Sequence, residues 1–326
     1  MKILLTNQQT SSVKGGTEIF SSHLKKAFPD LEIIDTRPFR QPKPSPIFKE
    51  PILAKRLGNH ILESGLAPEA IFTNGMFSWN LKTSAPVINI QHGTLAAFSE
   101  AALPKTSLAY WRTRYVYARY EKRAAQNASL VTSNSHFTAA NVRRHYNCNS
   151  TVIHNAINTD LIRPIPKKRA RKPLSLEGHV GIFVGRPDQT KGFDVVQSLA
   201  RSLPETTFLC VFPFPYPEQL PNIRVLSNIE PKNIGTLYSA ADFCVNPSRF
   251  DGFGYAPIEA LACNTPVIAS NVGVFKDMEI EGSWIANTPQ DYPKLIKNLP
   301  EKITSRPFIR KTFPLKKFIK NYRNMI

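Results

Sequence analysis

Short apolar runs alternate with helix-period segments along almost the whole of this chain, and that alternation leaves few folds open. Strands joined by helical crossovers build a parallel sheet with both faces covered, and such strands read as continuous apolar runs. In the first half, strands are predicted at Lys2–Thr6, Leu31–Asp35, Ala70–Thr73, Pro86–Gln91, Leu130–Ser133 and Thr151–His154. Helices are predicted from Gly15, after a polar loop, to about Phe28, and over Ile52–Ser64, Ser107–Asn127 and Phe137–Tyr146. Residues 38–51 hold five prolines (Pro38, Pro42, Pro44, Pro46 and Pro51) and read as an extended loop. In the second half, strands are predicted at Val180–Val184, Thr206–Val211, Ile223–Leu226, Asp242–Asn246 and Pro266–Ser270. Helices follow at Phe193–Ser202, Pro231–Ala240, Ile258–Ala262 and Asp291–Leu299. Between the halves, Arg163–Glu177 (RPIPKKRARKPLSLE) breaks the rhythm with proline and charge and reads as a linker.

The expected organisation is therefore α/β, with two Rossmann-like doubly wound domains: residues 1–162, a linker at 163–177, and residues 178–312. A basic helix is expected over Phe313–Arg323. A length of 326 residues and a hydrophobic content of 42% suit two domains, each with a core of its own. The four cysteines, Cys148, Cys210, Cys244 and Cys263, show no paired spacing. Cys210 and Cys244 lie in apolar runs, which reads as buried thiols in a reducing compartment. The opening MKILLTNQQTSS has a three-residue apolar run, which reads as a first strand and not as a signal peptide. No window approaches the length of apolar chain that spans a bilayer. A formal net charge of +18 favours an anionic partner: lipid head groups, nucleic acid or an acidic acceptor. A merely basic protein is the alternative.

The densest chemistry lies in Asn246–Ser270, NPSRFDGFGYAPIEALACNTPVIAS. Asp251 and Glu259 stand eight positions apart, with Gly252-Phe253-Gly254 and Tyr255 between them. A glycine loop that opens a helix presents backbone N–H groups and the positive end of the helix dipole, which suits a phosphate. An acidic helix cap followed by a core helix is the plainer reading. A second segment joins a strand ending at Gly185 to Arg186 and Lys191, five apart on one loop before a helix. Two cations there can hold a diphosphate, and the guanidinium adds bidentate geometry. Two further elements are weaker alone: Gly15-Gly16 at the first strand-to-helix turn, and His92 in Gln91-His92-Gly93-Thr94 at a strand's carboxyl end.

In order along the chain these elements resemble the landmarks of the retaining glycosyltransferases of family 4, which have the GT-B fold of two Rossmann-like domains facing across a cleft. The resemblance runs through Gly15-Gly16-Thr17-Glu18, His92-Gly93, Val152-Ile-His-Asn155, Gly185-Arg186 with Lys191-Gly192, and the two acids Asp251 and Glu259. Asp251 stands where the family usually has glutamate. Asn264 and Ala156 stand where it usually has glycine. The resemblance implies a nucleotide-sugar donor, UDP- or GDP-linked, and a glycan or lipid-linked acceptor, as in cell-envelope polysaccharide or lipopolysaccharide synthesis. It implies that Glu259 holds the ribose hydroxyls, Asp251 the donor sugar, and that His92 faces that sugar. Arg186, Lys191 and the Gly252–Gly254 amides would stabilise the departing diphosphate. Gly15, Gly16 and Phe253–Tyr255 would complete the donor contacts, and a final helix within 313–326 would pack back on the first domain. The chain has no D-x-D and no zinc-like His/Cys cluster, so neither a metal nor any other cofactor is expected.

The segment Tyr110–Arg123, YWRTRYVYARYEKR, mixes cations and aromatics on one predicted helix. It reads either as an interfacial patch that docks on anionic lipid, together with 167–172 (KKRARK), or as a core face with a wet basic face. A cytoplasmic enzyme, peripheral on the inner face of the plasma membrane in the first of those cases, is the expectation. Two rivals stay open. One is a non-catalytic nucleotide-sugar binder; the other is a nucleic-acid-binding protein, although no recognised binding module appears and no nucleic acid is expected.

Overall fold

A computed structural model describes residues 1–7, 15–217 and 220–326, so the polar loop read before Gly15 lies outside the described residues. The chain divides into two compact units. One holds the first strand with Thr17–Asn155 and Lys316–Ile326, and the other holds Ala156–Leu315.

The first unit is built on six parallel strands: β1 (Lys2–Thr6), β2 (Leu31–Asp35), β3 (Ala70–Asn74), β4 (Val87–Gln91), β5 (Leu130–Ser133) and β6 (Thr151–Val152), in the order β2-β1-β3-β4-β5-β6. Every residue of β3 and β4 is buried, as helices on both faces require. Strand order reverses between β1 and β3, and their carboxyl ends flank the crevice where ligands of such sheets bind. The helix Leu315–Arg323 belongs to this unit. It buries Phe318 and Tyr322 against Phe20, with ring centroids 5.5 and 5.7 Å away, while Lys316, Lys317 and Lys320 stay exposed. Arg323 Nε donates to Ala27 O at 2.8 Å.

The second unit is a six-stranded parallel sheet of β7 (His179–Val184), β8 (Thr206–Phe212), β9 (Ile223–Ser227), β10 (Phe243–Asn246), β11 (Val267–Ser270) and β12 (Ser283–Ala286), in the order β12-β11-β10-β7-β8-β9. Alternate residues feed two cores. Val180, Ile182, Leu209, Val211, Cys244 and Val267 pack on one face; Phe183, Phe208, Cys210, Phe243, Val245 and Ile268 pack on the other. The order reverses between β7 and β10, so the carboxyl ends of these two neighbours mark the crevice of this unit.

The structure departs from the sequence reading in several places. Residues 163–177 are not a free linker. The chain breaks between units at Asn155, and the basic run forms a helical turn, Lys167–Arg171, that buries Ala170. Asp242 explains this turn: it takes Lys167 Nζ and Arg171 Nη2, each at 2.6 Å, so two of the run's cations are tied down. Pro51 lies inside the helix Lys49–Glu63, as its third residue, where the missing N–H has no intrahelical acceptor to lose. A helix at Leu95–Ala102, capped by Thr94 Oγ1 on Ala97 N at 3.2 Å, was not expected, nor were Arg306–Thr312 and β12. The predicted strand Thr151–His154 shrinks to the two residues of β6. The long helix predicted from Ser107 runs as Leu108–Trp111, a π-helical stretch Arg112–Tyr117 and Ala118–Asn127. Among the described residues no helix is long and apolar enough to cross a membrane.

Candidate active site

In the second unit the loops leaving β7 and β10 are fastened to each other. Gly192 has φ +74°, and a Cβ there would lie 2.0 Å from Pro247 O, so only glycine lets the two backbones approach this closely. Arg249 N donates to Thr190 O at 2.8 Å, and the Arg249 guanidinium grips Asp194 with two bonds of 2.7 Å. Lys191 is aimed by its neighbours: its N–H donates to Asp188 Oδ1 at 3.0 Å, and its Nζ reaches Asp251 Oδ2 at 2.7 Å. Two of the predicted site residues, from segments sixty positions apart, thus meet at the reversal of strand order. Arg186 is not joined to that pair. It stands on the same loop as Lys191 with its Nε 3.0 Å from Asp188 Oδ2, more than half exposed.

Gly252, Phe253 and Gly254 follow Asp251. Phe253 is buried, packing edge-on against Tyr255 with centroids 5.2 Å apart, and Gly254 has φ +94° as the chain turns into the helix Tyr255–Ala262. The aromatic thus anchors the loop in the core, and the helix begins at Tyr255 with its amino end toward the loop. Glu259 lies on the second turn of that helix. Its Oε2 accepts from Tyr238 OH at 3.1 Å, and burial of the carboxyl raises its pKa to about 7, against the lowering effect of that bond. The residue as a whole keeps partial exposure, so the carboxyl is enclosed but reachable. Asn246, the last residue of β10, buries an Nδ2 that has no hydrogen-bond partner among the described residues. Tyr238 and Asn246 carry no local signal in the sequence. Tyr238 sits on a helix, Ile234–Ala240, read only as part of the alternation.

The first unit gathers polar side chains at the carboxyl ends of its central strands. His92 follows β4, and its Nε2 lies 3.1 Å from Asn74 Oδ1 at the end of β3. Asn74 in turn donates to Thr6 Oγ1 at the end of β1, 2.7 Å away, and Asn134, beyond β5, donates to His92 O at 3.2 Å. The ring of Phe20 meets the imidazole edge-on at 4.7 Å. Burial lowers the His92 pKa to about 4, so the imidazole is neutral near pH 7. With an amide oxygen facing Nε2, the proton sits there and Nδ1 is the acceptor. Gly15 and Gly16 are exposed, and Gly16 is the first residue of the helix Gly16–Ala27. The loop after β4 is held from below by Glu121, which sequence reasoning missed: its Oε2 accepts from Leu95 N at 2.7 Å and from Tyr146 OH. Among the described residues no group of three His, Cys, Asp or Glu side chains is arranged to hold a metal.

Comparison with known proteins agrees with this fold. Residues 17–161 match the family model described as Glycosyltransferase Family 4, and residues 218–307 match Glycosyl transferases group 1. A D-inositol 3-phosphate glycosyltransferase of Mycobacterium leprae (strain Br4923) is 27% identical over 219 residues, covering 61% of this chain and 51% of the relative. The chain spans about half the length of the first curated relatives it matches. Sucrose-phosphate synthase from Thermosynechococcus elongatus superposes with a TM-score of 0.80 at 18% identity, over 100% of this chain and 98% of that one. Anabaena HepE, solved with UDP-glucose, superposes with a TM-score of 0.73 at 19% identity, over 100% and 99%. These likenesses fix the fold as GT-B.

Proposed function

The chain belongs to the family 4 glycosyltransferases, and from that premise we propose that it moves a sugar, with retention of configuration, from a UDP- or GDP-linked donor to a glycan or lipid-linked acceptor. The carrying observation is Lys191 Nζ, 2.7 Å from Asp251 Oδ2, where the loops of β7 and β10 meet. A diphosphate arriving there finds an ammonium already aimed, a guanidinium on the same loop and the amino end of the helix Tyr255–Ala262. Cleavage of the sugar–phosphate bond loads negative charge on the leaving diphosphate. Donors fixed in advance stabilise that charge without reorganising, and removing one such donor typically lowers kcat by about 100- to 1,000-fold.

In this reading Asp251 orients hydroxyls of the donor sugar and passes Lys191 to the phosphate. Glu259 accepts the ribose hydroxyls and is itself oriented by Tyr238. Asn246 offers an unused donor at the same strand ends. His92, uncharged, hydrogen-bonds the donor sugar and does not act as a cation. Retention follows from attack on the face the diphosphate leaves, with a phosphate oxygen taking the acceptor's proton, so no protein nucleophile is needed. UDP-glucose bound to HepE supports a nucleotide-sugar donor. An enzyme using such donors works where they are made, in the cytoplasm.

A thermal-shift panel of UDP, GDP, ADP and their glucose and mannose conjugates tests the reading. A cognate nucleotide at 100 times its Kd stabilises by about 2.7 kcal/mol. Lys191→Ala should abolish most of that shift and cut turnover by about 100-fold or more. A panel with no shift at all, or a Lys191→Ala protein that binds the nucleotide as tightly as the unaltered one, overturns it. Tight donor binding with neither transfer nor hydrolysis would identify a nucleotide-sugar binder instead.

A further inference from the structure

The first unit carries a patch that the transfer chemistry leaves unused. Leu108, Trp111 and Tyr115 are 72%, 54% and 54% exposed, and the rings of Trp111 and Tyr115 stack with centroids 4.8 Å apart. The spacing 108, 111, 115 sets them on one face of the helix, and the opposite face, with Tyr110, Thr113, Tyr117 and Ala118, is buried in the unit. Pro46 O accepts from Tyr117 OH at 3.3 Å and lies 3.5 Å from Arg112 Nη1, so the proline-rich loop packs on this helix at its buried side and leaves the exposed face open. Leu108, Trp111 and Tyr115 stand outside the buried core of the described residues.

The charge around the patch is one-sided. Residues 104–123 hold six cations, Lys105, Arg112, Arg114, Arg119, Lys122 and Arg123, against one acid, Glu121, which is buried. Residues 36–49 add Arg37, Arg40, Lys43 and Lys49, of which Arg37 pairs with Asp35 at 2.8 Å and Lys49 with Glu50 at 3.9 Å. Lys105 and Arg119 are exposed near the two ends of the apolar strip, while Arg114 is partly neutralised by Glu100 at 3.2 Å. Tryptophan, tyrosine and aliphatic tips ringed by lysine and arginine fit the boundary between acyl chains and anionic head groups. A nucleic acid would use the cations but leave Leu108 unpaired.

We propose that the face formed by Leu108, Trp111 and Tyr115 docks this protein on an anionic phospholipid surface. The aromatics and Leu108 enter the interface, and Lys105 and Arg119 sit among the head groups. The basic run 167–172 belongs to the other unit, and Asp242 occupies two of its five cations, so it is no part of this face. The proposal is independent of which sugar is transferred, or whether one is.

Co-flotation of the full chain with vesicles tests it. The unaltered protein should float with phosphatidylcholine vesicles containing phosphatidylglycerol, lose that binding as salt rises, and stay behind with phosphatidylcholine alone. The double variant Trp111→Ala/Tyr115→Ala should bind on the order of tenfold more weakly or worse. Lys105→Ala and Arg119→Ala should each lose about fivefold, equivalent to about 1 kcal/mol per cation. All four side chains are exposed or at the surface, so unchanged melting and circular dichroism will certify folding. Failure to bind anionic vesicles, equal binding to neutral ones, or double-variant binding equal to that of the unaltered protein overturns the proposal. Duplex DNA that strips the protein from vesicles, and is held equally by the double variant, does so as well.

Discussion

Replacing Glu121 by glutamine isolates one buried charge and gives its worth as a curve against pH. Glu121 is 4% exposed; its carboxyl accepts from Leu95 N at 2.7 Å and from Tyr146 OH, and is so closely walled that a Cβ on Gly75 would lie 2.8 Å from Oε1. Burial raises its pKa to about 7, against an ordinary value of 4.5. Two effects oppose each other here. Leaving water disfavours the anion, while its place at the start of the helix Leu95–Ala102 favours it by about 0.3–2 kcal/mol. The raised pKa says that burial wins. A carboxyl that titrates higher folded than unfolded makes the native state bind the extra proton between the two values. Stability therefore falls as pH rises from about 4.5 to about 7, by on the order of 3 kcal/mol in total. Glutamine keeps an acceptor for Leu95 N and cannot ionise. Urea unfolding of both proteins from pH 4.5 to 8 should give nearly equal stabilities at the acid end, with Glu121→Gln gaining steadily to about 3 kcal/mol above pH 7. Comparing the two cancels His92, His154 and Glu259, which titrate in the same range. A constant offset, or a glutamine variant that loses stability relative to the unaltered chain as pH rises, would show that Leu95 N and the helix end hold the anion and would refute the argument.

The pair Tyr238–Glu259 should appear in the pH dependence of nucleotide binding. Ionised Glu259 is the better acceptor for a diol, so affinity rises as pH climbs through about 7; Tyr238→Phe removes a bond that stabilises the anion and should move that rise to higher pH, as read by calorimetric titration. An unmoved profile would mean the tyrosine only fills space. Gly192→Ala forces a Cβ to 2.0 Å from Pro247 O at φ +74° and should destabilise the second unit by on the order of 3 kcal/mol or more, seen as a lowered Tm. A variant melting within a degree or two of the unaltered chain would show that the two loops can part.

The strands of the two sheet centres were legible because burial on both faces leaves no polar alternation to confuse them, while the edge strands β6 and β12 were shortened or missed. Val180–Val184 and Asp242–Asn246 were found within a residue because their side chains serve two cores at once. Leu95–Ala102 escaped because it starts directly beneath the His92 loop, and LAAFSEAA has too few turns to show a period. The run 163–177 was misread because its order comes from Asp242, a partner seventy positions away that proline and charge content cannot reveal. The local signature of the site, Lys191 with Asp251 and the glycines between the acids, could be read because each needs a particular residue at a particular spacing. What orients those residues could not. Asn74, Glu121 and Tyr238 act across the fold, and each looks in sequence like an ordinary polar residue on a strand end or helix.

The two departures from the family pattern have different physical weight. Asn264 takes φ +59°, the left-handed geometry glycine would supply, and also uses its side chain: Oδ1 accepts from Arg306 N at 3.0 Å. Arg306 then donates to Ile162 O, Ala262 O and Thr159 O at 2.7, 2.8 and 2.5 Å, stitching the helix Arg306–Thr312 to the end of the helix that carries Glu259. A glycine would allow the turn and lose that anchor, so the change adds order. Asp251 shortens the acid by one methylene, and its consequence depends on whether the loop bearing it can shift. It is fastened at Gly192–Pro247, at Arg249–Thr190 and at Arg249–Asp194, all independent of Asp251 itself. If Asp251 meets the donor sugar as proposed, a loop held at these points sets where that sugar must sit to reach the shorter carboxylate. On the proposed function, the substitution bears on which sugar fits, and Lys191 still reaches the shorter carboxylate at 2.7 Å.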